Sequence, residues 1–387
     1  MSNLINVIPE TDPSGFEDIF VNSGLDDNYI HSRLLDLLKT DNTFIQNNIE
    51  ILGIILNSYE DFIKNKKSEK NDYFILDEYE KLEVSKLKTD EHFLRYLVYR
   101  FKYRVYPKIK KIDEYPPCVQ IEPASVCNLR CIMCYQSDKS FSAKKENMGF
   151  MDYELFKKII DELQGKVEAI TLASRGEPTL NKRFIEFLQY TKNKFIALKI
   201  NTNLNTLTQE LADAIFENDV QTLVISADAS DKETYEKIRV KGKYEKLLKN
   251  VEMLYETRKK YPDSRCIIRV SGVKINDKQT LQSMKNIFGK FSDSVAFVNY
   301  LPWESSYENK ENNITDPCTD LWKRVFIWYD GKVNPCDYDY KSVLSKHNYK
   351  NTLLKKIWNS EYYNNLRYEH MKKNRKSIFP CNRCTNT

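Results

Sequence analysis

The stretch Cys127-Asn128-Leu129-Arg130-Cys131-Ile132-Met133-Cys134 places three thiols on one short segment, with three and then two residues between them. It follows the β-rich run 119–122, so the pattern predicts a loop at the end of a strand. Three thiolates on one loop can bind three irons of a 4Fe-4S cube and leave the fourth iron open for another ligand. A zinc site is the alternative, although structural zinc normally takes four protein ligands.

Around this loop, from residue 119 to 303, short β-rich runs alternate with amphipathic helical runs. The predicted strands are 119–122, 169–173, 197–201, 222–226, 267–273 and 295–300, and helices 153–163, 183–190, 207–216, 244–257 and 280–288 are predicted between them. This pattern is typical of a parallel sheet built from βα units. It predicts an α/β fold, as a partial barrel or an open twisted sheet, with ligands at the C-terminal strand ends.

Two further regions flank this core, which predicts a division into 1–115, 116–303 and 304–387. The first is a helical N-terminal region with periodic apolar residues over 29–38, 44–63 and 93–109. It ends at Tyr115-Pro116-Pro117, because proline disfavours helical geometry in the preceding residue. In the third region we expect a polar linker over 304–316, a hairpin around Asp330-Gly331 and a helix over 353–371.

Four cysteines of the C-terminal region form a second group. Cys318 and Cys336 flank the predicted hairpin, and Cys381 and Cys384 close the chain as Cys-x-x-Cys. Four thiols can saturate one metal centre. On these residues alone, a zinc ribbon is the first interpretation.

The thiol loop after the first strand, with the βα units that follow, resembles the radical S-adenosylmethionine (SAM) superfamily over residues 117–303. The resemblance implies a partial (β/α)6 barrel in which Cys127, Cys131 and Cys134 hold a 4Fe-4S cluster. In this family SAM binds the open iron, and one electron cleaves it to a 5'-deoxyadenosyl radical. It also implies an external one-electron reductant, such as flavodoxin or ferredoxin.

The spacing of the C-terminal cysteines resembles the SPASM domain in its shortened form, the twitch domain. The resemblance implies an auxiliary 4Fe-4S cluster rather than zinc. It implies one fully ligated cluster rather than the two of a full SPASM domain, because no further cysteine lies between Asp337 and Pro380. The implied cofactors are therefore two 4Fe-4S clusters and SAM.

The resemblance also assigns SAM contacts. Ser174-Arg175-Gly176-Glu177-Pro178, at the end of the second strand, is similar to the family's Gly-Gly-Glu-Pro turn, with Arg175 in place of the first glycine. The implied cofactor-binding residues are Met133, Ser174, Gly176, Glu177, Asn203, Ser226, Asp228, Arg239 and Ser271.

Three residues are candidates for the chemistry on the substrate: Arg175, Cys266 and Arg269. Alternation along the fifth strand puts Arg269 and Ser271 on one face, which is the lumen of a barrel, and a buried arginine needs an anionic partner or ligand. A surface position is the alternative. Cys266, and less so Cys118, is a candidate hydrogen-atom donor to a substrate radical, the alternative being inert packing.

The composition excludes several other classes of protein. The chain of 387 residues has 60 Lys and Arg against 55 Asp and Glu, a net charge of +5 that gives little support to nucleic-acid binding. The basic run over 95–111 could bind phosphate or an acidic partner, or form a solvated helix face. No stretch approaches the roughly 20 apolar residues of a membrane span, and no leader is visible. We therefore expect a cytoplasmic protein without a membrane partner.

The favoured reaction is dehydrogenation of a hydroxyl carbon of a small-molecule substrate. We expect a sugar, an aminocyclitol or a nucleotide-linked sugar, because the cysteine spacing resembles that of enzymes that dehydrogenate 2-deoxy-scyllo-inosamine. The alternatives are a carbohydrate epimerase, a peptide-modifying maturase and a zinc-binding scaffold without chemistry.

Overall fold

The computed structural model describes residues 16–21, 23–66, 70–298 and 300–386. Its N-terminal part consists of β1 (Phe16–Val21), α1 (Asp27–Leu37), α2 (Thr43–Ile63), α3 (Glu78–Ser85) and α4 (Asp90–Ile109). The three predicted helices are present, whereas β1 and α3 were not predicted. A capping box formed by Asp77 and Glu80 starts α3. The N-terminal residues on which the expectation of no leader rests lie outside the residues that the structure describes.

The central part alternates strands and helices as predicted. Its elements are β2 (Cys118–Ile121), α5 (Lys139–Ser142), α6 (Tyr153–Leu163), β3 (Ala169–Leu172), α7 (Phe184–Thr191), β4 (Ala197–Thr202), α8 (Gln209–Glu217), β5 (Thr222–Ser226), α9 (Lys232–Ile238), α10 (Tyr244–Arg258), β6 (Ile267–Val273), α11 (Leu281–Phe288) and β7 (Ser294–Val298). Strands β2 to β7 are parallel and lie side by side in chain order. The predicted α/β fold with six βα units is confirmed, and the sheet is not closed.

The C-terminal part extends the same sheet. It consists of α12 (Asp320–Lys323), β8 (Arg324–Ile327), β9 (Lys332–Asn334), β10 (His347–Asn348), α13 (Leu354–Trp358) and α14 (Glu361–Met371). Strand β8 pairs parallel to β2, and β9 returns antiparallel in the predicted hairpin. The described sheet has ten strands in the order β1-β7-β6-β5-β4-β3-β2-β8-β9-β10.

Two expectations for the C-terminal part are corrected. The helix predicted over 353–371 is two helices, because Ser360 caps a new helix at the Tyr363 N–H. The polar segment 304–316 is packed rather than a free linker. Ser306 is fully buried, and the Tyr307 hydroxyl donates to Asp339 at 2.7 Å.

The two faces of the central sheet differ in chemistry. On β4, Leu198 and Ile200 are buried against the outer helices, whereas Lys199 and Asn201 point to the opposite, lumen face and are half-buried. At the N-terminal strand ends, the apolar cluster of α2 and α4 closes the lumen. The candidate site therefore lies at the opposite, C-terminal strand ends.

The first part of the basic run, over residues 95–104, is paired with acidic residues within the chain. Arg95 pairs with Glu168 at 2.7 Å, Arg104 pairs with Glu80 at 2.7 Å, and Lys102 pairs with Asp113 at 2.6 Å. This arrangement favours packing over an open phosphate-binding surface. None of the described helices is both long and apolar enough to cross a membrane.

Candidate active site

The cysteine loop, residues 127–134, is held against the end of α9. The backbone N–H groups of Arg130 and Ile132 donate to the carbonyls of Val240 and Ile238 at 2.9 and 3.0 Å. These two bonds fix the middle of the loop, so its thiols are presented from a rigid backbone.

The three thiols of this loop are grouped closely enough to affect one another. Burial raises the pKa of Cys127 to about 12 and also raises the pKa of Cys131 and Cys134. The Cys131 thiol raises the pKa of both neighbours further. Binding iron would replace the thiol protons, because a metal-bound cysteine is deprotonated.

The turn that follows β3 lies directly against this loop because of Gly176. A Cβ atom there would stand 2.4 Å from the carbonyl oxygen of Val126 and 2.5 Å from that of Ala124. Only glycine lets the two backbones approach so closely. The Glu177 N–H completes the contact by donating to the Val126 carbonyl at 2.9 Å.

Glu177 joins this turn to the end of β4. Its buried carboxylate accepts hydrogen bonds from the Thr202 hydroxyl at 2.7 Å, the Asn203 N–H at 2.8 Å and the Thr179 hydroxyl at 2.6 Å. Burial raises its pKa. The Asn203 amide in turn donates to Asn128 of the cysteine loop at 2.8 Å, so Glu177 positions Asn203 beside the thiols.

Asp228 and Arg239 form a buried ion pair on the other side of the cysteine loop. Asp228 also accepts from the Val273 N–H at 2.8 Å, and Arg239 Nη1 donates to the Cys131 sulfur at 3.6 Å. The pair therefore links the ends of β5 and β6 to one thiol.

The remaining sequence-predicted contacts surround these groups. Ser226 and Ser271 are paired on adjacent strands, and Met133 is buried in an apolar cluster beneath the cysteine loop. The Ser174 hydroxyl and the Asn201 amide oxygen are buried without a hydrogen-bond partner among the described residues. Buried polar atoms without a partner in the protein fit the binding of a polar ligand.

Arg175 does not point into the lumen, which corrects its assignment as a catalytic residue. It is 4% exposed, and its guanidinium donates to the buried Glu122 carboxylate at 2.8 and 2.6 Å and to the Tyr340 carbonyl at 3.0 Å. It also lies over the Trp328 ring at 4.3 Å. Arg175 therefore joins the turn that follows β3 to the C-terminal part of the chain.

Cys266 is also misplaced for its predicted role. Its side chain lies in the apolar core between the sheet and the outer helices, with Ile268 and Val270, and burial raises its pKa to about 12. The sheet separates it from the lumen, so a hydrogen-donor role is contradicted. Cys118 alternates with Val119 and lies at the N-terminal end of the lumen face.

Arg269 is on the lumen face, with its guanidinium over the Tyr79 ring at 4.9 Å. Sequence reasoning missed Lys199, which faces the same space, and Glu122, the partner of Arg175. The signal for both was present, because Lys199 alternates with Leu198 and Ile200, and Glu122 continues the alternation of β2.

The four C-terminal cysteines form a second thiol site. Burial raises the pKa of each thiol, and Cys336 is further affected by Cys381, Cys318 and Cys384, which shows that the four are neighbours. Arg375 fixes the Cys-x-x-Cys segment by donating to the carbonyls of Cys381 and Cys384 at 3.1 and 2.8 Å.

Each thiol site can be compared with the ligands that zinc and a 4Fe-4S cluster need. Within the described residues, no three histidine, cysteine or acidic side chains surround a point that could hold one metal ion. Zinc would bind all its thiolates to one ion. The thiols of a 4Fe-4S cube each bind a different iron, and three or four grouped thiols can supply such ligands.

Comparison with known proteins agrees with this geometry. The model of the radical SAM superfamily matches residues 121–287, and that of the SPASM iron-sulfur cluster-binding domain matches residues 318–385. The chain is 34% identical over 110 residues to the tungsten-containing aldehyde ferredoxin oxidoreductase cofactor-modifying protein of Pyrococcus furiosus, a match that covers 28% of this chain and 30% of that protein. It is 26% identical over 275 residues to a cysteine-type anaerobic sulfatase-maturating enzyme of Clostridium novyi, covering 62% and 69%.

Among solved structures, BtrN in complex with AdoMet and 2-DOIA aligns with a TM-score of 0.50 at 17% identity, covering 72% of this chain and 95% of that one. At this identity the likeness is one of fold. The two family models, in chain order, match the two thiol sites. The chain therefore contains a radical SAM domain followed by a C-terminal SPASM domain, and these two domains imply SAM and two 4Fe-4S clusters as cofactors.

Proposed function

We propose that this enzyme oxidises a hydroxyl carbon of a sugar, an aminocyclitol or a nucleotide-linked sugar to a ketone. The observation that carries the proposal is the C-terminal site, where one chain supplies four thiols: Cys318, Cys336, Cys381 and Cys384. A cube with a protein ligand on every iron has no position for a substrate. It suits electron transfer instead.

The oxidation removes two electrons and two hydrogens from the substrate. Cys127, Cys131 and Cys134 would hold a cluster that, given one electron by a flavodoxin or ferredoxin, would cleave bound SAM to methionine and a 5'-deoxyadenosyl radical. This radical would remove one hydrogen atom from the hydroxyl carbon and leave as 5'-deoxyadenosine. The hydroxyl proton would pass to a base, and the second electron would pass to an auxiliary cluster held by Cys318, Cys336, Cys381 and Cys384. In this scheme Glu177, Asn203, Asp228 and Arg239 orient SAM beside the cysteine loop.

Packed aromatic rings between the two thiol sites support electron transfer. Tyr135, which follows Cys134, stacks on Tyr340 with ring centroids 5.0 Å apart. Tyr340 contacts Tyr307 at the same centroid distance, and Tyr307 bonds to Asp339 near Cys336. These contacts connect the two thiol sites through neighbouring side chains, which supports electron transfer between them.

Replacing one auxiliary ligand tests the electron-acceptor role. Cys318→Ala is expected to lower iron from about eight to about four per chain, to keep SAM cleavage and to reduce the ketone yield at least about tenfold. Cys266→Ala, on the outer face of the sheet, is the matched control and is expected to keep both iron and ketone. Unchanged ketone production by Cys318→Ala would rule out the proposed acceptor.

Peptide modification is the second candidate. It is favoured by the names of relatives, a sulfatase-maturating enzyme and a mycofactocin maturase of Mycolicibacterium smegmatis. Substrate-dependent formation of 5'-deoxyadenosine with a cysteine-containing sulfatase peptide, and none with cyclitols or sugars, would favour it.

Epimerisation would instead place solvent deuterium on the product carbon. Cys118, whose thiol lies on the lumen face outside both cysteine groups, would then be the candidate hydrogen donor.

A further inference from the structure

We propose that the substrate carries an anionic group, a carboxylate or a phosphate, which binds Lys199 on the lumen face of the barrel. This inference rests on the proposed function, because it takes the lumen as the place where the hydroxyl compound binds. It narrows the substrate class to uronates, sugar phosphates and nucleotide-linked sugars.

The position of Lys199 is set by strand β4. Lys199 and Asn201 share the lumen face, and the strand continues to Thr202 and Asn203 beside Glu177. Four residues of strand separate Lys199 from Asn203, a rise of roughly 13 Å. A substrate held between them would have its reacting end beside SAM and its far end at the ammonium.

The ammonium of Lys199 makes no salt bridge and no hydrogen bond within the described part of the chain. The nearby carboxylate is Glu83 of α3, and its two oxygens already accept from the Thr222 hydroxyl at 3.2 Å and from the Tyr96 hydroxyl. A half-buried cation without a counter-ion is unfavourable unless a ligand supplies one.

The surroundings of Lys199 favour an anion over a neutral ligand. The pKa of Lys199 is lowered to about 8. Burial lowers it most, and Arg269 and Arg324 also lower it, whereas Cys118 and Glu83 raise it. A bound anion would raise this pKa, since it favours the ammonium. Binding is therefore expected to be strongest below pH 8 and to weaken as the pH rises above that value.

Chemical labelling of the holoenzyme tests the site without any turnover. The reconstituted enzyme with SAM is reductively methylated at pH 8 with millimolar inorganic phosphate, succinate or chloride, and each lysine is quantified by peptide mass spectrometry. Phosphate or succinate is expected to slow methylation of Lys199 at least about fivefold relative to chloride. Exposed Lys192, just before β4, is the internal control and is expected to react equally in all three.

The two anions distinguish the source of the charge. Protection by phosphate alone supports a sugar phosphate or nucleotide-linked sugar, and protection by succinate alone supports a carboxylate. Equal methylation of Lys199 in all three solutions would overturn the inference.

A substrate screen separates failure of this inference from failure of the proposed function. Uronates and sugar phosphates are compared with scyllo-inositol for ketone formation by wild type, Lys199→Met and Lys199→Arg. An anionic substrate is expected to show a KM at least about tenfold higher with Lys199→Met and restored by Lys199→Arg, at similar kcat. Oxidation of scyllo-inositol as efficiently as of every anionic compound contradicts the inference alone. Protection of Lys199 without oxidation of any compound contradicts the proposed function alone.

Discussion

The ammonium of Lys199 is half-buried, lies near Arg269 and makes no salt bridge among the described residues. Lys199 is therefore expected to lower the free energy of unfolding. The folded pKa of about 8 is below the ordinary 10.5, so the unfolded chain binds more protons between these values. Wild-type stability therefore rises as the pH increases from 8 towards 10.5.

Lys199→Met removes this cost, and we expect a more stable protein at pH 7. The gain should be on the order of 1 kcal/mol, less than the full pKa shift implies, because the side chain is partly solvated. The gain should shrink as the pH approaches 10. Urea unfolding at both pH values measures it, with Lys192→Met as the exposed control. A Met variant less stable than wild type at pH 7 would show that the lysine is structural.

At the scale of a single element, Gly176 sets how closely the turn after β3 approaches the cysteine loop. Gly176→Ala is expected to push the turn from Val126, to destabilise the chain by about 1–3 kcal/mol and to remove the N-terminal cluster only. Iron should fall from about eight to about four per chain. Gly53→Ala in α2 is the matched control, because a Cβ there meets no atom within 4 Å. A full iron content in Gly176→Ala would contradict this role.

Helices and strands could be predicted from the sequence where a regular pattern of apolar residues lies within the element itself. Helix α6 matches its predicted bounds, 153–163, and β6 matches 267–273, because each buries apolar residues at a regular period. The same alternation in β6 places Cys266 with Ile268 and Val270 on the outer face, so its misassignment was avoidable. Strand β1 was missed because what stabilises it is pairing with β7, hundreds of residues away in sequence.

At the scale of the whole molecule, both thiol sites depend on one sheet. Strand β2 leads into the cysteine loop and pairs with β8, which precedes Cys336. This pairing was beyond sequence reasoning, because a hairpin signal around Asp330-Gly331 gives the local turn but not the strand it joins. The cysteine spacing was sufficient to predict that the thiols form two groups, but not the shared sheet that holds these groups in one body.

A substitution of Arg175 tests whether the two thiol sites depend on each other. Arg175 pairs with Glu122, which follows β2, and donates to the Tyr340 carbonyl of the C-terminal part. Arg175→Met leaves Glu122, which is 0% exposed, without its counter-ion. We expect a loss of about 3–5 kcal/mol in unfolding free energy. Because the pair joins both parts, iron should fall at both thiol sites, unlike in a single-site cysteine variant.

The double variant Arg175→Met/Glu122→Gln separates the lost pair from lost packing. Removing the uncompensated charge should recover part of the stability, since a neutral amide is less costly to bury than a carboxylate. Arg183→Met breaks the exposed pair with Glu186 and should leave the urea midpoint unchanged. If Arg175→Met instead unloaded one thiol site and left the other filled, the two sites would be held independently, and the shared sheet alone would not couple them.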